Sequence, residues 1–400
     1  MTEVPTAAVP KYLGSRFKQV SPGLRFGMYL ELWRSDYSLE DKGKTGALKS
    51  VAKLSIDDRK LIDGIAARQE ALARAKQGDE KLSIMATTVS PLVMGMGIEH
   101  PLENGFAFLN PYGLPYLPAS SVKGVIRRAA EELASGRWGE TQGWSREALD
   151  DCSGSMIDLL FGAEPASGSQ NHAQGALSFW DVIPSPSGER LDVEVMTPHQ
   201  THYYQDGEPP HDSGNPNPIA FLAVPPSSAC AFHMVCDLAR LQRQTADLNE
   251  APCWKALLEA AFEHAFLWLG FGAKTAVGYG AMKRDREQED RIRQREEARE
   301  RDERKAKERQ ERLASMDPID REIEVVFEKR TDAKMEKSIA IYNELDRGRW
   351  KESDKIEVAR RLKTMMQQDK SWREKSNKRN PEKDKPYRRT RQVMDWLEGQ

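Results

Sequence analysis

Lys123 and Arg127 stand one helical turn apart at the start of a helix-forming stretch, a pairing suited to holding phosphate oxygens. Pro118 enforces an extended approach, and Ser120 or Ser121 can cap the helix that follows. Val122, Val125, Ile126, Ala129 and Leu133 recur at the spacing of one buried face. That spacing turns the two cations outward, beside the unpaired N–H groups of the first turns. An ordinary amphipathic helix with a solvated basic edge has the same pattern.

A second stretch, GFGAKTAVGYG at 270–280, follows an apolar and aromatic run at 252–269 that reads as a helix. Gly270, Gly272, Gly278 and Gly280 flank Lys274 and Thr275, so the backbone can approach another chain or a phosphate without Cβ obstruction. A Walker A loop does not fit. Ala273 precedes the lysine, Trp268 takes the place of the first glycine, and a helix rather than a strand comes before. A glycine-rich turn joining that helix to a final strand is the structural alternative.

His199, His202 and His211 gather around one loop, where imidazoles could ligate a metal or move protons in RNA cleavage. However, H-x-x-H with Glu208 nearby is not H-E-x-x-H on a helix, and Thr197 and Pro198 interrupt regular structure. Tyr203 and Tyr204 beside them could stack on bases or pack inward. Cys152, Cys230, Cys236 and Cys253 form no C-x-x-C, which argues against a disulfide framework and a zinc ribbon alike. The expectation is no catalytic residue, no metal and no cofactor.

The elements that must position these residues come from 400 residues, 39% apolar and 30% charged, enough for two or three domains. No run approaches the ~18 apolar residues of a membrane span, and residues 1–10 lack a signal peptide's pattern, so a cytoplasmic chain is expected. The net charge of −2 conceals an asymmetry: residues 1–282 carry 25 Lys+Arg against 33 Asp+Glu, residues 283–400 carry 35 against 29. An acidic larger part must confine any nucleic-acid contact to a local patch. Runs of strand character at 24–33, 82–93, 177–183, 191–196, 219–224 and 229–237, with a helix at 57–75, predict an α+β domain. Breaker-rich loops at 162–175 and 204–218 interrupt it.

Composition changes after Met282. Residues 283–314 are almost entirely Arg, Lys, Glu, Asp, Gln and Ala, without Gly or Pro, and place opposite charges four apart at pairs such as Glu287/Arg291 and Glu289/Arg293. Only Ile292 and Leu313 are large and apolar, so the stretch reads as a solvated helical rod of about 48 Å, or a charged linker, rather than a coiled coil. Asp317 and Pro318 then read as N-cap and first residue of a small helical domain with helices near 318–329, 334–345, 353–368 and 390–398. Within it, residues 370–391 hold ten Lys/Arg against three acids, either a phosphate-binding segment or a solvated loop.

Three motifs in this order, P-x-S-S-x-K-G-x-x-R at 118–127, G-x-x-x-F-W-D at 175–181 and G-F-G-A-K-T-x-x-G-Y-G at 270–280, resemble the RAMP superfamily of CRISPR RNA-binding proteins. MTPHQTHYY at 196–204, followed by PIAFL at 218–222, is similar to a type III-B (Cmr) effector subunit of that family. The resemblance spans about 82–282 and says nothing of the rod or tail. It implies a ferredoxin-like (RRM-like) core with large insertions, residues 81–282, behind an N-terminal extension, 1–80, and ahead of the rod, 283–316, and helical domain, 317–400. It also implies a non-catalytic structural subunit of an antiviral ribonucleoprotein, with guide RNA (crRNA), target RNA and other Cmr RAMP subunits as partners.

On matching positions, Ser121, Lys123, Arg127, Lys274 and Thr275 become RNA-binding candidates, the four loop glycines allow close approach, and His199, His202, Tyr203 and Tyr204 become RNA or subunit contacts. An endoribonuclease that processes guide precursor, with His199 or His202 as acid/base, is the enzymatic alternative. A protein-interaction adaptor built on rod and tail is the third.

Overall fold

The computed structural model describes residues 6–14, 17, 19–34, 36–39, 43–147, 154–163, 173–197, 203, 207, 209, 218–244, 253–330, 332 and 334–399. They fall into two compact units, Met1–Arg291 and Ile292–Gln400.

The first unit opens with three helices, α1 (Pro22–Gly27), α2 (Lys44–Val51) and α3 (Ile56–Arg74). Ser55 and Asp58 close a reciprocal capping box at the start of α3. Then follow β1 (Lys81–Thr88), α4 (Ala119–Ala134), α5 (Met156–Phe161), β2 (Leu177–Phe179), β3 (Asp192–Met196), β4 (Ile219–Ala223), β5 (Ala229–Cys236), α6 (Leu238–Gln244), α7 (Trp254–His264) and β6 (Met282–Arg284). Strands β6, β1, β5 and β2 form, in that order, a four-stranded sheet whose neighbours all run antiparallel. Strands β3 and β4 pair separately, Val195 opposite Ala220.

Alternation along β1 decides the layers. Leu82, Ile84 and Ala86 enter the core with Val122, Ile126, Ala129 and Leu133 of α4 and with Leu258 and Phe262 of α7. Phe232, Phe262, Phe266 and Phe271 meet there, mostly tilted or edge-on. On the opposite face Ser83 Oγ lies 2.8 Å from His233 Nδ1. Helix α3 packs against β5 and its Gln69 donates to the Asp181 carbonyl at 2.8 Å. Cys230 and Cys236 are buried on β5, and burial pushes both thiols up to about 12.

Several expectations need correction. Residues 24–33 are not one strand: proline in the first turn at Pro22 presets helix α1, and only Glu31–Trp33 finds a partner, Thr6–Ala7. Strand β1 stops at Thr88, where Val89 N–H turns to the Ala281 carbonyl. Strand β2 stops at Phe179, and Val182 bridges to Leu117 instead. The helix before the glycine-rich loop closes with a π-helical turn, Ala265–Leu269. Neither Ser120 nor Ser121 caps α4. Pro118 occupies the N-cap position, and the Ala119 N–H donates to Asp181 Oδ1 at 2.7 Å.

Helix α8 (Arg286–Ser315) has no buried residue, as a charged rod requires. Glu287 and Arg291 pair at 3.1 Å. Glu289 instead accepts from Arg284 at 3.0 Å and from the Met85 N–H at 3.0 Å, which fixes the first turn of α8 to β1. In the second unit, α9 (Pro318–Glu328), α10 (Lys337–Asp346), α11 (Glu352–Gln368) and α12 (Lys385–Glu398) surround Ile323, Ile341, Val358, Leu362, Val393 and Trp396. Helix α12 starts earlier than expected because Pro386 occupies its first turn. Part of the basic segment is engaged internally, with Arg389 over the Tyr342 ring at 5.5 Å and Arg373 3.9 Å from Asp384.

Asp181→Ala removes the acceptor at the start of α4 and is expected to lower stability by ~1 kcal/mol, read as a shift in urea midpoint without a change in slope. Burial, reinforced by Lys81, lowers the His233 pKa from 6.5 to about 4. The unfolded chain therefore binds the proton more readily, and the stability tied to the neutral ring is present above pH 6.5 and lost as pH falls toward 4. Unfolding free energies from urea titrations are expected to fall across that window by up to ~1.4 kcal/mol per pH unit, and less steeply in His233→Gln.

Candidate nucleic-acid interface

The loop at 270–280 is held by backbone bonds that require close approach. The Phe271 N–H donates to Gly280 O at 2.9 Å, Gly280 N–H to Pro91 O at 2.9 Å, and Ala273 N–H to Val93 O at 2.8 Å. At Gly280, with φ +71, a Cβ would lie 1.8 Å from Phe271 O, and at Gly272, with φ +85, one would lie 2.2 Å from Val93 O. Glycine is thus a packing requirement at both positions. Gly278 differs: its φ is +94, but open space surrounds it.

Lys274 is not a glycine, yet has φ +60, in the left-handed region. Its Nζ lies 3.2 Å from Met196 Sδ and 5.8 Å from the centre of the Phe221 ring, on the β3–β4 pair. Beside it the Tyr279 hydroxyl donates to Glu194 Oε2 at 3.1 Å, and Tyr279 packs edge-on to Phe221. Burial first, then the Glu194 carboxylate, raises the Tyr279 pKa. The loop is therefore clamped between residues 91–93 and the β3–β4 pair, while Ala276, Val277 and Gly278 stay exposed and Thr275 half-buried. Among the described residues no carboxylate lies within 4.0 Å of the Lys274 ammonium. A thioether and a ring face orient that charge without neutralising it.

At the start of α4, Ser121 is exposed and Lys123 half-exposed, with no ion pair to Lys123 among the described residues. Arg127 is placed differently from the outward cation expected. It donates to Glu131 at 3.2 Å and to the Gly162 carbonyl at 3.0 Å, and its side chain is 24% exposed. The two phosphate-binding candidates are also tied to opposite edges of the sheet. Asp181, just beyond edge strand β2, holds the first turn of α4, whereas the glycine-rich loop leads into edge strand β6. Contact between α4 and the end of α7 comes from its other end, where Glu132 lies 2.9 Å from His264 Nε2.

His199, His202, His211 and Tyr204 lie outside the described residues, and Tyr203 is 46% exposed. The other described imidazoles are engaged in packing: His100 stacks on Phe26 at 3.7 Å, and His264 meets Trp138 edge-on. No group of three His, Cys, Asp or Glu that could hold a metal ion occurs among the described residues. Sequence reading missed Asp181, Glu194, Met196 and Phe221 as supports. Asp181, Met196 and Phe221 lay in the motifs at 175–181, 196–204 and 218–222, but their supporting roles, like that of Glu194, became visible only when the sheet and the β3–β4 pair were formed.

Residues 85–283 match the family model described as RAMPs, the RAMP superfamily. CRISPR system Cmr subunit Cmr6 of Pyrococcus furiosus is 30% identical over an alignment of 236 residues, covering 49% of this chain and 65% of that protein. A chain in the cryo-EM structure of the type III-B Cmr-beta bound to cognate target RNA is 21% identical, with TM-score 0.40, over 61% of this chain and 72% of its own length. The crystal structure of Cmr6 from P. furiosus is 26% identical, with TM-score 0.26, over 51% of this chain and 98% of its own. The likeness to the RAMP superfamily rests on the sequence matches over residues 85–283.

Gly280→Ala is expected to destabilise the first unit by several-fold more than Gly278→Ala, which meets only the left-handed backbone penalty of ~1–2 kcal/mol. Urea unfolding of the two variants beside the wild type checks this; equal losses would show that the close approach to Phe271 is not what Gly280 serves.

Proposed function

From the premise that residues 85–283 belong to the RAMP superfamily, we propose that this chain is a non-catalytic, RNA-binding structural subunit of a type III-B CRISPR (Cmr) ribonucleoprotein, similar to its sixth subunit. It holds guide RNA (crRNA) by the backbone, helps present it to target RNA in antiviral defence, and assembles in the cytoplasm with other Cmr RAMP subunits. The order β1-α4-β2-β5-α7-β6, with sheet order β6-β1-β5-β2, is read as the ferredoxin-like core, carrying the β3–β4 pair as an insertion. Residues 1–80 are the extension, 283–316 the rod and 317–400 a helical domain.

The observation that carries the reading is Lys274, a cation set on a sterically constrained loop with no carboxylate within 4.0 Å among the described residues. A net acidic unit that binds RNA needs a few such placed charges rather than a basic surface, since phosphate contacts position a strand and base pairing reads it. Lys123 supplies a second charge, Ser121 and Thr275 supply hydroxyls, and Arg127, already bonded to Gly162 O, supports the helix that presents Ser121 and Lys123.

Fluorescence anisotropy with labelled single-stranded RNA tests the reading. Lys123→Ala with Lys274→Ala is expected to weaken binding ~10-fold and to reduce the slope of log affinity against log salt by about 1.4, some 0.7 per lost phosphate contact. Wild-type affinity and slope in that variant would overturn the proposal, and RNA cleavage without divalent metal would favour the endoribonuclease.

A further inference from the structure

Residues 52–54, after α2, are laced to residues 189–191, before β3, by backbone hydrogen bonds. The Leu191 N–H donates to Ala52 O at 2.8 Å, and the Leu54 N–H to Glu189 O at 2.9 Å. Between those bonds Lys53 and Arg190 are the opposed residues of an antiparallel bridge. Like charges directly opposite one another in a bridge repel. Here the backbone fixes them there, and neither cation has a carboxylate within 4.0 Å among the described residues.

Lys53, Arg190 and Lys49, from the last turn of α2, line a cavity of about 570 Å³ together with Asp192 and Glu194. The nearby carboxylates are mostly engaged elsewhere. Glu189 pairs with Arg59 at 3.3 Å, and Glu194 accepts from Tyr279. Asp192 and Glu194 together offset two of the three cations. The negative end of α2 offers little relief, because Arg25 from below donates to the carbonyls of Ser50 and Lys53. The cavity lining thus holds one more cation than carboxylate, and among the described residues neither Lys53 nor Arg190 is paired with an acid.

We infer that this cavity seats a phosphodiester of the bound RNA strand, a second anchoring point fed by the N-terminal extension. The inference rests on the RNA-binding reading above. Geometry connects the two seats: β3 continues from the cavity to Met196, which contacts Lys274, and Glu194 joins the cavity wall to the glycine-rich loop through Tyr279. Arg190 and Met196 are separated along the strand by about 20 Å, a span of several nucleotides. A strand crossing the β3–β4 pair would meet Lys274 at one end and the Lys53–Arg190 bridge at the other.

The test uses the full chain, a labelled single-stranded RNA and, separately, inorganic phosphate. Lys53→Gln with Arg190→Gln, both exposed, is expected to keep the wild-type melting temperature or raise it slightly, to weaken RNA binding ~10-fold and to lower the salt slope by about 1.4. Lys53→Arg with Arg190→Lys is expected to retain affinity. Wild-type RNA affinity and slope in the Gln variant overturn this inference, and so does loss of phosphate-induced thermal stabilisation in that variant with RNA binding unchanged, which would mark a free-anion site. Failure of the wild-type chain itself to bind RNA overturns the parent reading instead, so the two failures are distinguishable.

Discussion

Close backbone approach at one loop governs the arrangement of the first unit. Gly280 and Gly272 bring the chain so near Phe271 and Val93 that no side chain fits, and the resulting bonds fix the loop against the end of β1. With that path set, Lys274 places its ammonium over Phe221 and beside Met196, and Tyr279 meets Glu194. Steric restriction at two glycines thereby becomes electrostatic definition at one lysine.

Charge in this unit works by omission as much as by number. An acidic balance would quench most lysines, and many cations are indeed paired, Arg284 with Glu259 and Glu289 among them. Lys49, Lys53, Lys123, Arg190 and Lys274 are among the cations with no carboxylate within 4.0 Å among the described residues. Unpaired cations held on ordered backbone keep their full attraction for phosphate, because binding does not first require breaking an internal pair. On helix α4, Arg127 differs from them in being bonded to Glu131 and the Gly162 carbonyl.

The sequence was informative where one physical rule acted alone. Strands at 191–196, 219–224 and 229–237, the charged rod, and the Asp317–Pro318 start of α9 all follow from local pattern, and the structure shows them within a few residues. The motifs also pointed to a RAMP domain, which the family match supports. Reading failed where tertiary partners decide. Two serines looked like caps, but the cap is Asp181, distant in sequence and brought near only by the β2 edge. Residues 24–33 carry apolar character in plenty, yet a proline in the first turn set a helix. Lys53 and Arg190 had no signal at all, being unremarkable cations far apart until a bridge opposed them.

Ultraviolet crosslinking of the full chain to single-stranded RNA, with the attached peptides mapped by mass spectrometry, addresses the central claim most directly. Adducts are expected on peptides covering Lys49 to Lys53, Arg190 to Met196 and Gly270 to Gly280. Adducts confined to the basic segment at 370–391, with those three stretches unmodified, would contradict an RNA path across the β3–β4 pair.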